Sequence, residues 1–287
     1  MRRPHLQSDP RANPTDRYNR EAHSYRELWA PILRVAGLRL LREFAGAPVH
    51  RIVDVGTGVG FLLPDLRMTF PGAFILGIDR SPGMLALMPT GSPRAVMDAT
   101  QLGLPPASVD LVLLVFMLFH LKAPADGLRE ARRILRGGGR VGCLTWAGDL
   151  QSPATLIWTE CLEAHGAAEA DPTTETRHEP VNTPAKMEAL LCSAGFSSVR
   201  CWTDELVSSI HLDHLIRLRT SMGSAKPRFD SLTVLAQEAC VADARRRMEK
   251  LEPEDFVARG SVVCAAADAS RWADTDYVRK RNKRRTR

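Results

Sequence analysis

Asp54, Gly56, Gly58 and Gly60 stand at alternate positions in "RIVDVGTGVGFLLP" (51–64), between an apolar run and a stretch with helical spacing. A glycine turn joining a buried strand to a helix offers backbone amides with no Cβ in the way, so a polar ligand can approach closely. Two phosphate chemistries can be tested directly. A triphosphate-binding loop needs Lys and Ser or Thr directly after its last glycine, to reach phosphate and magnesium. Here Phe61 and Leu62 follow Gly60. A dinucleotide turn needs G-x-G-x-x-G, whose third glycine lets helix pack on strand. Phe61 occupies that third position.

The reading that survives is a nucleoside joined to an amino acid, S-adenosylmethionine (SAM), whose zwitterion requires close backbone approach but no phosphate cradle. At this point the sequence resembles the class I SAM-dependent methyltransferases, in particular the ubiquinone/menaquinone-biosynthesis-like branch called methyltransferase type 11. The resemblance covers roughly residues 18–147 and, more loosely, 185–267. "VDVGTGVG" resembles the family's first motif, which implies that Asp54, Gly56, Thr57, Gly58 and Gly60 surround the methionine half of the cofactor. "GIDRSPGML" resembles the second, with Asp79 taking both ribose hydroxyls as a two-oxygen acceptor, Arg80 beside it and Met84 against the adenine. "MDATQLGLP" resembles the third, with Asp98 and the Ala99 amide on the adenine edge. "VDLVLLVFMLFHL" and "EARRILRGGGRVG" resemble the fourth and fifth, with Val115 and Phe116 bordering the methyl group. Where the family carries Pro-Gly-Gly, this chain has Gly137-Gly138-Gly139.

Plainer roles compete at each position. Asp54 could be a strand-end carboxylate satisfied by backbone amides, and Asp79 and Asp98 could cap the segments that follow them. Asp110 opens a strand and reads as structural. His120, at the carboxyl end of a central strand where α/β sites open, is the candidate general base, or an anchor for the next loop. Tyr18, His23 and Tyr25 lie on an N-terminal helix that in this family closes over the cofactor, and Tyr25 is the one assigned to cofactor contact. His211 and His214 have helical spacing but no further ligand, so no metal site is expected. Arg245, Arg246 and Arg247 read as a solvated helix face.

The elements that must position these residues alternate. Short apolar runs at 50–56, 73–79, 94–99, 109–119 and 140–146 interleave with helical stretches, and two late strands flank a helical insertion. The expected fold is α/β, a doubly wound, mostly parallel seven-stranded sheet with an antiparallel edge strand, a Rossmann-like methyltransferase fold. Two helices meeting near Pro31 precede it. A helix over 124–136 should be stopped by Gly137–Gly139. The domain plan is a disordered N-terminus to residue 17, one domain over 18–267 with helical lid elements at 18–44, 152–180 and 211–250, and a basic disordered tail over 268–287.

Bulk properties narrow the function. The net charge of +6 belongs to the tail: eight of the 39 basic and two of the 33 acidic residues fall in the last 17, leaving 31 of each sign elsewhere. A formally neutral body is a poor platform for a phosphate backbone, which leaves nucleic acid only a contact through the tail at 279–287. Six scattered cysteines without C-x-x-C spacing predict reduced thiols and a cytoplasmic location. No apolar run is long enough to span a bilayer. The expected activity is methyl transfer to a small organic acceptor in a covered, largely apolar pocket. An RNA or protein methyltransferase guided by the tail, and a SAM-binding protein without transfer, stay open.

Overall fold

The computed structural model describes residues 14–270. Seven strands form one sheet: β1 (Arg51–Val55), β2 (Phe74–Asp79), β3 (Arg94–Val96), β4 (Val109–Val115), β5 (Leu135–Trp146), β6 (Phe196–Ser209) and β7 (Val257–Ala269). Their order across the sheet is β3-β2-β1-β4-β5-β7-β6. β1 to β5 are mutually parallel, and β7 pairs antiparallel with both β5 and β6. The antiparallel strand therefore lies one place in from the edge, inserted between β5 and β6, and the outermost β6 runs in the direction of β1–β5.

Every residue of β4 is buried, as a central parallel strand covered on both faces must be. The chain leaves β1 toward β2 on one side and crosses to β4 on the other. That reversal of winding opens a crevice at the carboxyl ends of β1 and β4, the position where α/β sheets bind ligands.

The N-terminal segment is helical from Pro14, inside the stretch expected to be disordered to residue 17. α1 (Pro14–Ser24) runs through a π-turn (Tyr25–Trp29) into α2 (Ala30–Arg42). Pro31 has no amide for the carbonyl four residues back, and the wide turn immediately before it absorbs that loss, with Ala30 N–H donating to Tyr25 O. Two helices thus meet next to Pro31, as expected, joined through the π-turn.

The glycines at 137–139 do not stop a helix. α5 (Pro124–Ile134) ends before them, and they lie inside β5, where Leu135 pairs with Val109 and Arg140 with Leu111. The extra residues bulge outward opposite Asp110, whose carbonyl would sit 3.1 Å from a Cβ on Gly139. Asp110 has the structural role expected, at the end of the sheet away from the crevice. Its Oδ2 accepts from the His50 and Arg51 amides at 2.7 and 3.0 Å, and Arg136 pairs with it at 2.8 Å.

α3 (Leu63–Thr69) is locked to α2 by a two-pronged pair. Arg34 Nε and Nη2 donate to the two oxygens of buried Asp65 at 2.7 and 2.5 Å. α4 (Pro82–Ala86) follows β2, and Ser81 caps it by accepting from the Met84 amide.

The second half supplies cover. α6 (Pro153–Ala164), α7 (Thr173–His178) and α8 (Pro184–Ser193) lie between β5 and β6, and α9 (Leu212–Ser221), α10 (Ala225–Asp230) and α11 (Val234–Met248) between β6 and β7. α9 packs on α1 and on the π-turn. Arg245, Arg246 and Arg247 pair with Asp213, Asp243 and Glu160, which makes them a salt-bridged surface. β7 runs to Ala269, two residues past the expected domain end. The disordered-terminus and basic-tail assignments at 1–13 and 271–287 fall outside the described residues. Among the described residues no helix is long and apolar enough to cross a membrane, and no cluster of three or more metal-ligating side chains occurs.

Candidate active site

Gly56, Gly58 and Gly60 have φ of +75°, +56° and +73°, so the turn after β1 is left-handed at each alternate residue. The amides of Gly56 and Thr57 donate to Ile78 O at 2.7 and 2.9 Å, pinning the turn to the end of β2. A Cβ on Gly56 would lie 2.6 Å from Met117 Cβ, whereas one on Gly58 would meet nothing nearer than the Tyr25 ring at 3.6 Å. Close packing excludes a side chain at Gly56. At Gly58 the backbone conformation alone does so.

Two carboxylates converge on this turn. Asp79 accepts from the Gly58 amide at 2.9 Å through Oδ2 and from the Ser81 amide at 2.8 Å through Oδ1. Burial raises its pKa, and those backbone amides oppose the rise. Asp54 is buried, and its Oδ2 accepts from the Thr57 hydroxyl at 2.7 Å. Burial dominates its surroundings and pushes its pKa up to about 6, against the Thr57 hydrogen bond and with added repulsion from Asp79.

A cleft opens from this turn along the carboxyl ends of β1, β2 and β4. Of the residues singled out from the sequence, Tyr25, Gly56, Gly58, Asp79, Arg80, Met84, Asp98, Ala99, Val115, Phe116 and His120 all line it. Asp54, Thr57 and Gly60 do not. Thr57 holds the Asp54 carboxylate, and Gly60 leaves room for Leu63, Met88 and Pro89.

Asp98 lies at the far end, accepting from the amide and hydroxyl of Thr100 at 2.8 and 2.7 Å with Arg80 at 3.6 Å. The Thr100 hydrogen bonds first, and Arg80 after them, hold its pKa below the usual carboxylate range. Asp98 caps the turn that follows it, as its plainer reading has it, and faces Arg80 as well. Asp79 accepts from the Ser81 amide, but it is the Ser81 hydroxyl that caps α4.

The far wall is aromatic. Phe116 directly follows β4 with φ of +52°, a strained conformation for a bulky residue, and its amide donates to Leu144 O at 2.7 Å. Its ring lies 4.9 Å from Trp146, which stacks on Trp29 of the π-turn at 5.9 Å. Tyr18 Oη lies 2.9 Å from His120 Nε2, tying α1 across the mouth to the end of β4. Burial, then the cations Arg17, His178, Arg177 and Arg80, push the His120 pKa down to about 3. Of the remaining candidates, His23 is exposed and His214 Nε2 lies 2.9 Å from Leu28 O.

The sequence reading missed Ser81, Met97, Met117 and Leu121 of the lining, and Asn19. Asn19 Oδ1 accepts from the Ser81 hydroxyl at 2.6 Å and the Gly83 amide at 2.9 Å, fastening α1 to the start of α4. Gly83 was the available signal, since a Cβ there would lie 2.9 Å from Asn19 Cα.

The donor set selects among ligands. A pyrophosphate at the glycine turn would face the Asp79 carboxylate, with that of buried Asp54 beneath the turn, like charge at close range. A ribose, which donates, and an ammonium group, which is cationic, are matched by the same pair. Met84, Ala99 and Met97 offer an apolar slot between Asp79 and Asp98, which suits a flat base with a polar edge. The residues present therefore fit SAM and oppose a dinucleotide.

Comparison with known proteins agrees with this geometry. A family model described as a methyltransferase domain (Methyltransf_11) matches residues 53–143. The chain is 37% identical over 99 residues to the malonyl-[acyl-carrier protein] O-methyltransferase of Hahella chejuensis, covering 33% of this chain and 36% of that protein. It is 27% identical over 199 residues to the protein of the same name from Methylococcus capsulatus, covering 66% and 70%. It is 30% identical over 111 residues to the ubiquinone/menaquinone biosynthesis C-methyltransferase of Syntrophotalea carbinolica, covering 36% and 47%. The chain thus spans between about a third and two thirds of the length of most of these relatives. The YcgJ protein of Bacillus subtilis shares the fold, with a TM-score of 0.50 at 13% identity over 82% of this chain and 97% of that one. With the glycine turn, the strand-end carboxylates and the switch-point cleft in the family's order, the chain carries a class I SAM-dependent methyltransferase domain, related to the malonyl-[acyl-carrier protein] and ubiquinone/menaquinone methyltransferases.

Proposed function

We propose that this protein transfers the methyl group of SAM to a small organic acceptor. One observation carries the reading: a single cleft joins the glycine turn, Asp79, Met84 and Asp98 at one end to Phe116 and His120 at the other. In this reading Asp79 holds the ribose hydroxyls, Asp98 and the Ala99 amide meet the adenine edge, and Met84 packs on its face. Asp54, through Thr57 and the turn, sets the negative field at the amino group, and Tyr25 closes over Gly58.

SAM supplies an electrophilic methyl on a cationic sulfonium, so the protein need not generate an electrophile. The chain's own task is to orient the acceptor in line and exclude water. Phe116, backed by Trp146 and Trp29, gives the cleft an apolar wall suited to both. The bond of His120 to Tyr18 and its burial support the reading of His120 as a positioning residue. A histidine whose pKa lies near 3 is a weak general base at neutral pH.

The relatives are named for O-methylation and for C-methylation, so the accepting atom must be found on this chain. Calorimetry with SAM on the wild type and on Asp79→Ala tests the cofactor assignment. Unchanged affinity in the variant removes that role from Asp79, and absence of binding to the wild type overturns the reading. Methyl transfer itself is read as S-adenosylhomocysteine formed across an acceptor screen. Tight cofactor binding with no product from any acceptor favours a binding protein without transfer.

A further inference from the structure

Arg80 directly follows Asp79, and its backbone and side chain face different parts of the cleft. Its amide is one of the backbone donors acting on the Asp79 carboxylate at the end of β2. Its side chain turns toward the mouth. There Nε donates to Thr15 Oγ1 of α1 at 2.9 Å, and Nη1 stands 3.6 Å from Asp98 Oδ2. Thr15, Arg80 and Asp98 all line the cleft. One guanidinium thus spans from the N-terminal helix to the carboxylate beyond β3.

The two oxygens of Asp98 are divided between partners. Oδ1 accepts from the amide and the hydroxyl of Thr100 at 2.8 and 2.7 Å. Oδ2 faces Arg80. A carboxylate oxygen has two lone-pair sites, and at 3.6 Å the contact with Arg80 is an ion pair longer than a charge-assisted hydrogen bond. Oδ2 therefore keeps capacity for a donor from a ligand, while Thr100 and Arg80 hold the carboxylate from two sides.

Fold stability does not account for this arrangement. The Arg80 and Asp98 side chains are 46% and 42% exposed, and ion pairs so exposed add little to a fold. The middle of α1 is already fastened without Arg80, by Asn19 to Ser81 and Gly83 and by Tyr18 to His120. Thr15 lies in the first turn of that helix, and Arg80 ties this turn to the cofactor end of the cleft.

We propose that Arg80 is a positioning residue for the cofactor, joining the first turn of α1 to Asp98. One side chain then steadies the adenine-reading carboxylate and draws the helix start over the base. The inference rests on the methyltransferase reading, which puts the adenine edge at Asp98. A bound adenine donates its amino group to Asp98, and Arg80 acts through Asp98 and Thr15 rather than on the base itself. Recognition of the base and closure of the helix start are thereby one coupled event.

The test uses the full chain. S-adenosylhomocysteine binding to the wild type is measured first by calorimetry, and its absence there overturns the methyltransferase reading and this inference with it. Arg80→Met should weaken that affinity about tenfold, through faster dissociation in stopped-flow, with thermal unfolding of the ligand-free protein unchanged. Arg80→Lys keeps a cation for Asp98 without the planar fork, and should recover part of the loss. Thr15→Val should cost about threefold in the wild type and nothing further in Arg80→Met. With the wild type binding, this inference alone is overturned if Arg80→Met binds equally well or destabilises the ligand-free protein. It is overturned too if Thr15→Val costs the same in both backgrounds, since Arg80 would then touch the base without engaging the helix.

Discussion

Tyr18 and His120 are 102 residues apart in sequence, and their side chains meet at 2.9 Å across the mouth of the cleft. The bond joins the N-terminal helix to the end of the central strand. α1 is thereby part of the site wall, held at its other end by Asn19 on Ser81 and Gly83. Tyr18→Phe removes the bond and leaves the ring. The expected loss is about 1 kcal/mol of closure, read as a roughly fivefold weaker affinity for S-adenosylhomocysteine with the far-ultraviolet spectrum unchanged.

His120 should stay neutral through the physiological range. Its pKa of about 3 lies below the ordinary 6.5, chiefly through burial, so the native ring binds no proton between those values while the unfolded ring does. Stability from this residue is full above pH 6.5 and is lost as pH falls toward 3. Nitrogen-15 NMR of the imidazoles should show one neutral tautomer at His120 from pH 5 to 8. A titration centred near 6 would return it to the role of general base.

Asp54 has the opposite sign. Its folded pKa of about 6 lies above the 3.8 of the unfolded chain, so the cofactor-free protein keeps a proton there that the unfolded chain releases. The ligand-free fold is favoured below pH 4 and loses stability as pH rises through 6, by about 3 kcal/mol at ~1.36 kcal/mol per pH unit. Asp54→Asn should abolish that loss. Urea denaturation of both proteins at pH 4.5 and 7.5 should show a gap that widens with pH in favour of the variant.

The glycines of the turn should rank by packing. Gly56→Ala places a Cβ against Met117 in addition to the left-handed strain, and about 3 kcal/mol or more should be lost. Gly58→Ala meets only ordinary contact with the Tyr25 ring and should lose only ~1 kcal/mol. Equal losses in chemical denaturation would contradict the close approach at Met117.

Arg34→Met should destabilise the fold by about 2 kcal/mol, because Asp65 would remain buried without its two-pronged partner. Asp65→Asn with Arg34→Met should recover part of that loss, as calorimetric unfolding of the double variant would record.

The cofactor end was legible because its features are local. Asp54, the three glycines, Asp79 and Asp98 each occupy a strand end or the turn beyond it, and strand ends can be located from apolar runs. The turn at 137–139 misled because glycine stops helices and permits bulges alike, and only the pairing of Leu135 with Val109 tells them apart. Asn19, Trp146 and Thr15 were illegible for another reason. Their meaning depends on which distant element lies opposite, and no spacing within one segment encodes that.

β7 is made last and sits inside the sheet. Residues 257–269 enter between β5 and β6, giving each its partner. During synthesis, β5 therefore leaves the ribosome with a bare hydrogen-bonding edge, and more than a hundred residues must follow before that edge is covered. Open edges recruit other strands, and long-range pairing is slow. A nascent or truncated chain ending before residue 257 is thus the species that a chaperone would need to shield.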